Sequence, residues 1–262
     1  MSAALRVALL GLGEAGSEIA ADLVAAGADV RGYDPKVRPE PGIDARDDEA
    51  DAVRDAELVL SANSSHDAAT ALANALPGLR PGTVFADLNT ASPGVKAGLV
   101  DVAQAAGTVG VVDVALMSPV PGNGLRTPML VAGEAADRYA AMLVPLGAQI
   151  TVQPGPAGTA ISRKLLRSVF YKGLAAAVVE ALEGSRAAGC EDWLAANISA
   201  ELAGFDEHSI DRLVDGTHRH ARRRADEMAA AAEQLRELGV EPRSASAAHE
   251  LLAALRDQGE PA

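Results

Sequence analysis

The chain has 262 residues, 48% hydrophobic and 23% charged, which suits two modest globular domains or one domain with a helical extension. A net charge of −13 argues against non-specific binding to nucleic acid or anionic membranes, and a lone cysteine, Cys190, excludes an internal disulfide and a thiolate metal cluster. No apolar run reaches the ~18 residues of a membrane span; the N-terminus runs into a strand without a signal-peptide layout, so the cytoplasm is the expected location.

In chain order, residues 5–10 read as a strand, 17–26 as a helix and 29–33 as a second strand. Further strands are expected at 58–62, 84–86 and 109–115, with alanine-rich helices between them. Strands alternating with helices predict a parallel sheet covered on both faces. Gln153-Pro154-Gly155-Pro156 then punctuates the chain, and the remaining C-terminal residues are almost entirely helix-compatible: one long helix over 157–188, then helices over 191–203, 208–238 and 245–257. The fold class is therefore α/β: a Rossmann doubly wound parallel sheet over 1–154, followed by an all-α domain over 155–262 joined by a long helix. With aromatics at only 3%, small-residue helix packing is expected to fill much of the interior.

The first strand and helix enclose Gly11-Leu12-Gly13-Glu14-Ala15-Gly16, a G-x-G-x-x-G loop. The first glycine permits the tight turn, the second lets a pyrophosphate approach the backbone, and the third lets helix and strand pack closely. The helix N-terminus offers free N–H groups and a favourable dipole to the phosphates. Asp34 stands eighteen residues beyond Gly16, at the end of the second strand. A carboxylate there accepts hydrogen bonds from both ribose hydroxyls, which favours NAD; Lys36 and Arg38 lie just beyond and suit the 2′-phosphate of NADP. The segment Ser61-Ala62-Asn63-Ser64-Ser65-His66 lies where such folds bring a loop to the cofactor, and Asn63 and Ser64 are expected to touch it. His66 is read as a surface-loop residue or a cofactor neighbour.

Lysine is scarce: Lys36, Lys96, Lys164 and Lys172 are the four among 23 basic residues. Lys164 falls in Gly155-Pro-Ala-Gly158-Thr-Ala160-Ile-Ser-Arg-Lys164-Leu-Leu-Arg-Ser168. On a helix, 164, 168 and 171 share a face, so an ammonium, the Ser168 hydroxyl and the Tyr171 phenol converge there unless the Tyr171 ring packs in the core. This segment resembles the catalytic stretch G-x-x-G-x-G-x-x-x-K-x-x-x-N of the β-hydroxyacid dehydrogenase family, which includes 3-hydroxyisobutyrate and 6-phosphogluconate dehydrogenases. Gly155, Gly158 and Lys164 match in register, Ala160 replaces the third glycine, and Ser168 replaces the asparagine. The resemblance implies that Lys164 is the catalytic acid/base and that Ser168 makes the substrate hydrogen bond of that asparagine.

Two more segments carry the resemblance. Asp87-Leu-Asn89-Thr90-Ala-Ser92-Pro93 is similar to the family segment near the nicotinamide, with Asn89 and Thr90 at the cofactor or shaping the loop. Asp113-Val-Ala-Leu-Met117-Ser118-Pro119-Val-Pro121-Gly122 lies where the family has its substrate loop, D-A-P-V-S-G-G. Met117 holds the serine position and Ser118 and Pro119 the two glycines, which makes Met117 and Ser118 candidate substrate contacts; Ser118 alternatively caps a turn. Proline lacks an N–H, so the loop cannot offer a substrate carboxylate the usual run of donors. The likeness extends through Gly133 to a branch with a distinct helical C-terminal domain, and is strong over residues 5–170.

The resemblance implies a nicotinamide-dependent oxidoreductase that transfers a hydride between NAD or NADP and a small hydroxy acid or related alcohol. Lys164, partly buried, would take the hydroxyl proton and return it in the reverse direction; a substrate with a carboxylate β to the new ketone would then lose it. Reduction of C=N, known in a related branch that generally lacks the lysine, and a non-catalytic nucleotide sensor are the alternatives. A homodimer through the helical domain is expected. Arg219, Arg222, Arg223 and Arg224, with His218 and His220, form a basic segment. It either pairs with Asp211, Asp215, Asp226 and Glu227 or lends His220, Arg223 or Arg224 to an acidic substrate group. The histidines show no metal-ligand spacing, so no metal is expected.

Overall fold

The computed structural model describes residues 3–105, 107 and 110–259. The N-terminal part runs β1 (Arg6–Leu10), α1 (Glu14–Ala25), β2 (Asp29–Tyr33), β3 (Asp44–Ala45), α2 (Glu49–Val53), β4 (Leu58–Ser61), α3 (Ala68–Ala75), β5 (Val84–Asp87), α4 (Pro93–Ala105) and β6 (Gly110–Leu116). It continues through β7 (Met129–Ala132), α5 (Ala136–Leu143) and β8 (Ile150–Val152) to α6 (Thr159–Ala187). Helices α7 (Glu191–Ala203), α8 (Ser209–Arg219), α9 (Ala221–Glu237) and α10 (Arg243–Gly259) complete it. Contacts divide the chain into two compact units, Met1–Leu166 and Arg167–Ala262.

In the first unit one eight-stranded sheet has the order β3-β2-β1-β4-β5-β6-β7-β8. Alternation of side chains along β1 explains why it is central: Val7 and Leu9 enter the core on one face, Ala8 and Leu10 the core on the other. β4 and β5 are likewise buried at every residue, as strands covered on both faces must be. The chain order reverses beside β1, which has β2 on one side and β4 on the other. The carboxyl ends of β1, β4 and β5 therefore share one edge with a switch point, where open α/β sheets bind ligands.

The sheet is parallel as expected except at one pair, where β7 runs antiparallel to β6. Only residues 117–128 join them, and these contain a short 3-10 turn, Gly124–Arg126, rather than a crossover helix. β7 and β8 are short apolar runs that periodicity alone does not separate from helix. The strand expected at 109–115 is found at Gly110–Leu116, and Val109 lies outside the described residues.

The helix expected from 208 to 238 is two helices, broken at His220, whose φ of −121° and ψ of 25° leave the helical region. Gly216 lies one turn earlier and is itself helical, and no glycine or proline stands at the break. Tertiary packing overrides propensity there: α9 lays Ala225 and Ala232 into the interior beside α10, while Arg224 reaches back across the turn to donate to Thr217 Oγ1 at 2.6 Å. The N-terminus of α10 is capped by Glu180 of α6, whose carboxylate accepts the Ser244 and Ala245 N–H groups at 2.7 and 2.8 Å.

The first turn of α6 belongs to the sheet domain. Ala160 and Ile161 are fully buried with Ala115 and Ala132, and Ala160, the departure from the family glycine, fills this pocket with its methyl group. Replacing Ile161 by Ala should cost about 2–4 kcal/mol; a denaturant midpoint unchanged from the wild type would contradict this anchoring of α6.

Candidate active site

The glycine loop turns from β1 into α1 with Gly11 at φ +97°, its N–H donating to the Tyr33 carbonyl at 2.9 Å. A Cβ on Gly11 would stand 2.5 Å from the Ala62 carbonyl oxygen and 2.6 Å from Asn63 Oδ1; one on Gly16 would stand 2.1 Å from the Gly11 oxygen. Those two glycines are required by the protein's own packing. Gly13 differs: a Cβ there meets nothing within 4 Å. It caps α1 at the exposed mouth of the loop, so the space above it is free for a phosphate against the helix N-terminus. Glu14 and Ala15 form the first turn, while Leu12 is buried and points inward.

Asp34 sits at the end of β2 as the sequence placed it, but its carboxylate is engaged by the backbone. Oδ2 accepts from Leu12 N–H at 2.8 Å, and Oδ1 accepts from Lys36 and Val37 N–H at 2.8 and 2.9 Å. Burial pushes this carboxyl up, and the three N–H groups with the Lys36 ammonium more than reverse it, holding it below the ordinary value. Asp34 thus ties the glycine loop to the strand that carries it. With about four acceptor sites per carboxylate, it retains room for a ribose hydroxyl. Glycine loop, helix end and Asp34 together fit a dinucleotide.

The loops after β4 and β5 converge on Ser61. Asn63 Nδ2 donates to Ser61 Oγ at 3.2 Å, and Asn89 Nδ2 donates to the same oxygen at 3.3 Å and to Asp87 Oδ1. Ser64 instead turns back on its own chain, donating to Asp67 Oδ2 at 2.6 Å, and His66 is exposed. Thr90 projects beyond this cluster and receives Lys164: Nζ donates to Thr90 Oγ1 at 3.0 Å. Two residues nominated from separate segments of the sequence therefore meet. Lys164 is half-buried, on the second turn of α6.

Sequence reasoning passed over the group beneath that contact. Asp87 and Asp113 are register partners on β5 and β6, both fully buried. Lys96 of α4, 1% exposed, reaches between them, with Nζ 2.7 Å from Asp87 Oδ2, 2.6 Å from the Asp87 carbonyl oxygen and 3.4 Å from Asp113 Oδ1. Asp113 Oδ2 accepts the Gly158 and Ile161 N–H groups of the α6 start at 2.9 and 3.0 Å. The scarcity of lysine was the available signal.

The loop expected to meet substrate bonds almost entirely to itself and to α1. Met117 N–H donates to the Pro128 oxygen at 2.8 Å, and the Asn123 and Gly124 N–H groups both donate to the Val120 oxygen at 2.8 Å. Arg126 and Thr127 N–H close onto Asn123 and Gly124. Gly122 N–H goes to Glu18 Oε2 at 3.0 Å and Leu125 N–H to Asp22 Oδ2 at 2.8 Å, both carboxylates on α1. With Pro119, Pro121 and Pro128 carrying no N–H, Ser118 and Val120 are the amides of this stretch left outside such bonds among the described residues. Ser118 Oγ lies 3.4 Å from the Pro119 oxygen and Met117 is partly buried beside Ala115 and Ala132.

Ser168 and Tyr171 belong to the second unit. Tyr171 is not in a core: it is 53% exposed, with the Arg167 guanidinium 4.4 Å above its ring and Phe170 edge-on at 5.1 Å. In the basic segment Arg223 pairs with Glu227 at 2.8 Å, one turn along the same helix. A cavity of about 450 Å³ within the second unit, lined by Trp193, Cys190 and Leu235 among others, includes none of the nominated residues.

Residues 6–152 match the family model for the NAD binding domain of 6-phosphogluconate dehydrogenase. The chain belongs to that family. Residues 186–255 match a second model, a domain of unknown function, DUF1932. No curated protein matches the chain. Among solved structures, a conserved hypothetical protein from Sinorhizobium meliloti 1021 is 32% identical, covering 99% of this chain and 92% of its own, with a TM-score of 0.64. The conserved protein MTH1747, described as structurally similar to 3-hydroxyacid dehydrogenases, is 26% identical over 98% of this chain and 100% of its own, with a TM-score of 0.63. The imine reductase of Myxococcus stipitatus, solved with NADP+, shares the fold at a TM-score of 0.80 and 18% identity, over 97% of this chain and 95% of its own. Family and fold are those of NAD(P)-dependent, hydroxyacid-dehydrogenase-like oxidoreductases, and no helix among the described residues is long and apolar enough to cross a membrane.

The two glycines separate structure from binding. Gly13→Ala, at φ −65° and in open space, should melt within about 0.5 kcal/mol of wild type yet bind NAD(P)H weakly, whereas Gly16→Ala should lose stability as well. Thermal melts with a fluorescence titration of cofactor check this; equal melting loss in both variants would contradict it.

Proposed function

We propose that this protein oxidises a small hydroxy acid or related alcohol, or reduces the corresponding carbonyl compound, with Lys164 as the general acid/base and NAD favoured over NADP. The observation that carries the reading is the Lys164–Thr90 contact at 3.0 Å, on the sheet edge that also holds the glycine loop and Asp34. A bound nicotinamide supplies hydride acceptance in oxidation and donation in reduction. The part left to the chain is the proton. As a carbinol carbon loses a hydride, its hydroxyl proton becomes strongly acidic, and the neutral Lys164 amine takes it; in reduction the ammonium returns it to the carbonyl oxygen. Thr90 Oγ1 holds Nζ in place, while Asn63, Asn89 and Gly13 line the cofactor side. Ser118, Ser168, Met117 and Tyr171 are the proposed substrate contacts.

The 117–128 loop narrows the substrate. Apart from Ser118 and Val120, its amides are bonded internally or to Glu18 and Asp22, and its three prolines carry none, so it offers a carboxylate few donors and suits an uncharged end of the substrate. Alcohols with a neutral group at that end fit better than a substrate anchored there by its acid.

The functional unit in this reading is a cytoplasmic homodimer. The second unit buries little of its own apolar surface: α7 has no buried residue, and Val169, Val179, Trp193 and Ile210 are all at least 66% exposed. A second copy covers such surface symmetrically.

Lys164→Met should lower kcat by about 10²–10⁴-fold while leaving cofactor affinity unchanged. A panel of hydroxy acids, neutral alcohols and cyclic imines, read with NAD and NADP in parallel, supplies the assay; full turnover by the variant would overturn the role of Lys164. Light scattering at micromolar concentration should give twice the 26.7 kDa chain mass, and a mass of one chain would overturn the dimer.

A further inference from the structure

Two carboxylates set side by side on neighbouring strands repel each other and are costly to bury. The Asp87–Asp113 pair in the first unit is tolerated because Lys96 stands between them, and one ammonium against two carboxylates leaves a negative charge to balance. The balance comes from the start of α6, whose Gly158 and Ile161 N–H groups and positive dipole end meet Asp113 Oδ2. Gly158 lets the α6 start come this close to α4: at φ +103°, a Cβ on it would stand 2.9 Å from the Pro93 oxygen.

From this buried group two arms run outward to one contact. On one, Asp87 Oδ1 accepts from Asn89 Nδ2, and the next residue is Thr90. On the other, Asp113 holds the N–H of Ile161, three residues before Lys164 on the same helix face. The arms meet where Lys164 Nζ donates to Thr90 Oγ1.

We infer that Lys96 is a positioning residue for the reaction: by holding Asp87 and Asp113 together it fixes both sides of the Lys164–Thr90 contact, and so the place and environment of the acid/base amine. The inference rests on the reading of Lys164 as acid/base. A buried ion pair that merely stabilised the sheet would change melting and nothing at Lys164.

The four lysines make the distinction measurable, because protein labelled at lysine 13Cε and 15Nζ gives four side-chain signals, and Lys164→Arg identifies the one that matters. The variant is Lys96→Met combined with Asp87→Asn, which removes the ion pair as a pair and avoids an orphaned buried charge. Should it fail to melt cooperatively, Lys96→Met combined with Asp113→Asn, which likewise removes one charge of each sign and keeps an acceptor for α6, carries the same comparison. The folded variant should bind NADH with a Kd within about threefold of wild type, since the glycine loop is untouched. Its Lys164 titration midpoint should move by about 0.5 pH or more, the limb of its pH–kcat profile should move with it, and kcat should fall about tenfold or more. A folded variant in which the Lys164 midpoint and the pH profile stay at wild-type values would overturn the inference, whatever its melting temperature. Full activity of Lys164→Met would instead remove the acid/base reading, while the Lys164 titration in the Lys96 variant would still decide whether Lys96 sets its position.

Discussion

A carboxylate buried in a protein must find cations or N–H donors, and the need of Asp113 for them organises the first unit. It draws Lys96 in from α4 on one side and the start of α6 on the other. A strand, two helix beginnings and the loop after β5 are thereby fixed against one another at the ligand-binding edge of the sheet. Hydrophobic packing alone, which is non-directional, would set the layers but not this register of polar groups. The small apolar cluster of Ala115, Ala132, Ala160 and Ile161 packs beside the same junction.

Most of the sheet domain was legible in the sequence because its signals are local. The G-x-G-x-x-G loop, the strands on either side of it and Asp34 obey short-range rules, and the structure places them within a residue or three of expectation. Lys164 was legible through family register, and Thr90 through a separate segment; their meeting at 3.0 Å could not be read from either. What escaped was non-local. The break at His220 depends on where α9 must lie, not on any helix breaker, and β7 and β8 are too short to declare themselves by period. The ion cluster depends on Asp87 and Asp113 being register partners, which no single segment states. One local clue existed: Lys96 lies near the N-terminus of α4, where a cation opposes the helix dipole and needs a specific partner.

The structure also gives structural roles to residues that the sequence offered only as cofactor candidates or as surface acids. Asp34 was expected as a ribose ligand, and the structure shows it as a brace, joining the Leu12 amide to the turn at Lys36 and Val37. Glu18 and Asp22, ordinary acids on a helix face in the sequence, hold the 117–128 loop by its backbone. Gly124 permits that approach, since a Cβ there would lie 2.1 Å from Asp22 Oδ2. The loop departs from the family pattern in its residues, and two of its amides are taken by acids of α1.

The placement of the α6 start inside the sheet domain bears on how the chain can be dissected. The proline-glycine punctuation at 154–156 looks like a natural site for truncation, yet a fragment ending there would strip Asp113 of both its helix donors and leave the pocket of Ala115 and Ala132 open to water. The smallest nucleotide-binding fragment with its polar core intact must therefore carry the opening turns of the long helix, so excision of the cofactor domain and retention of Lys164 are the same operation.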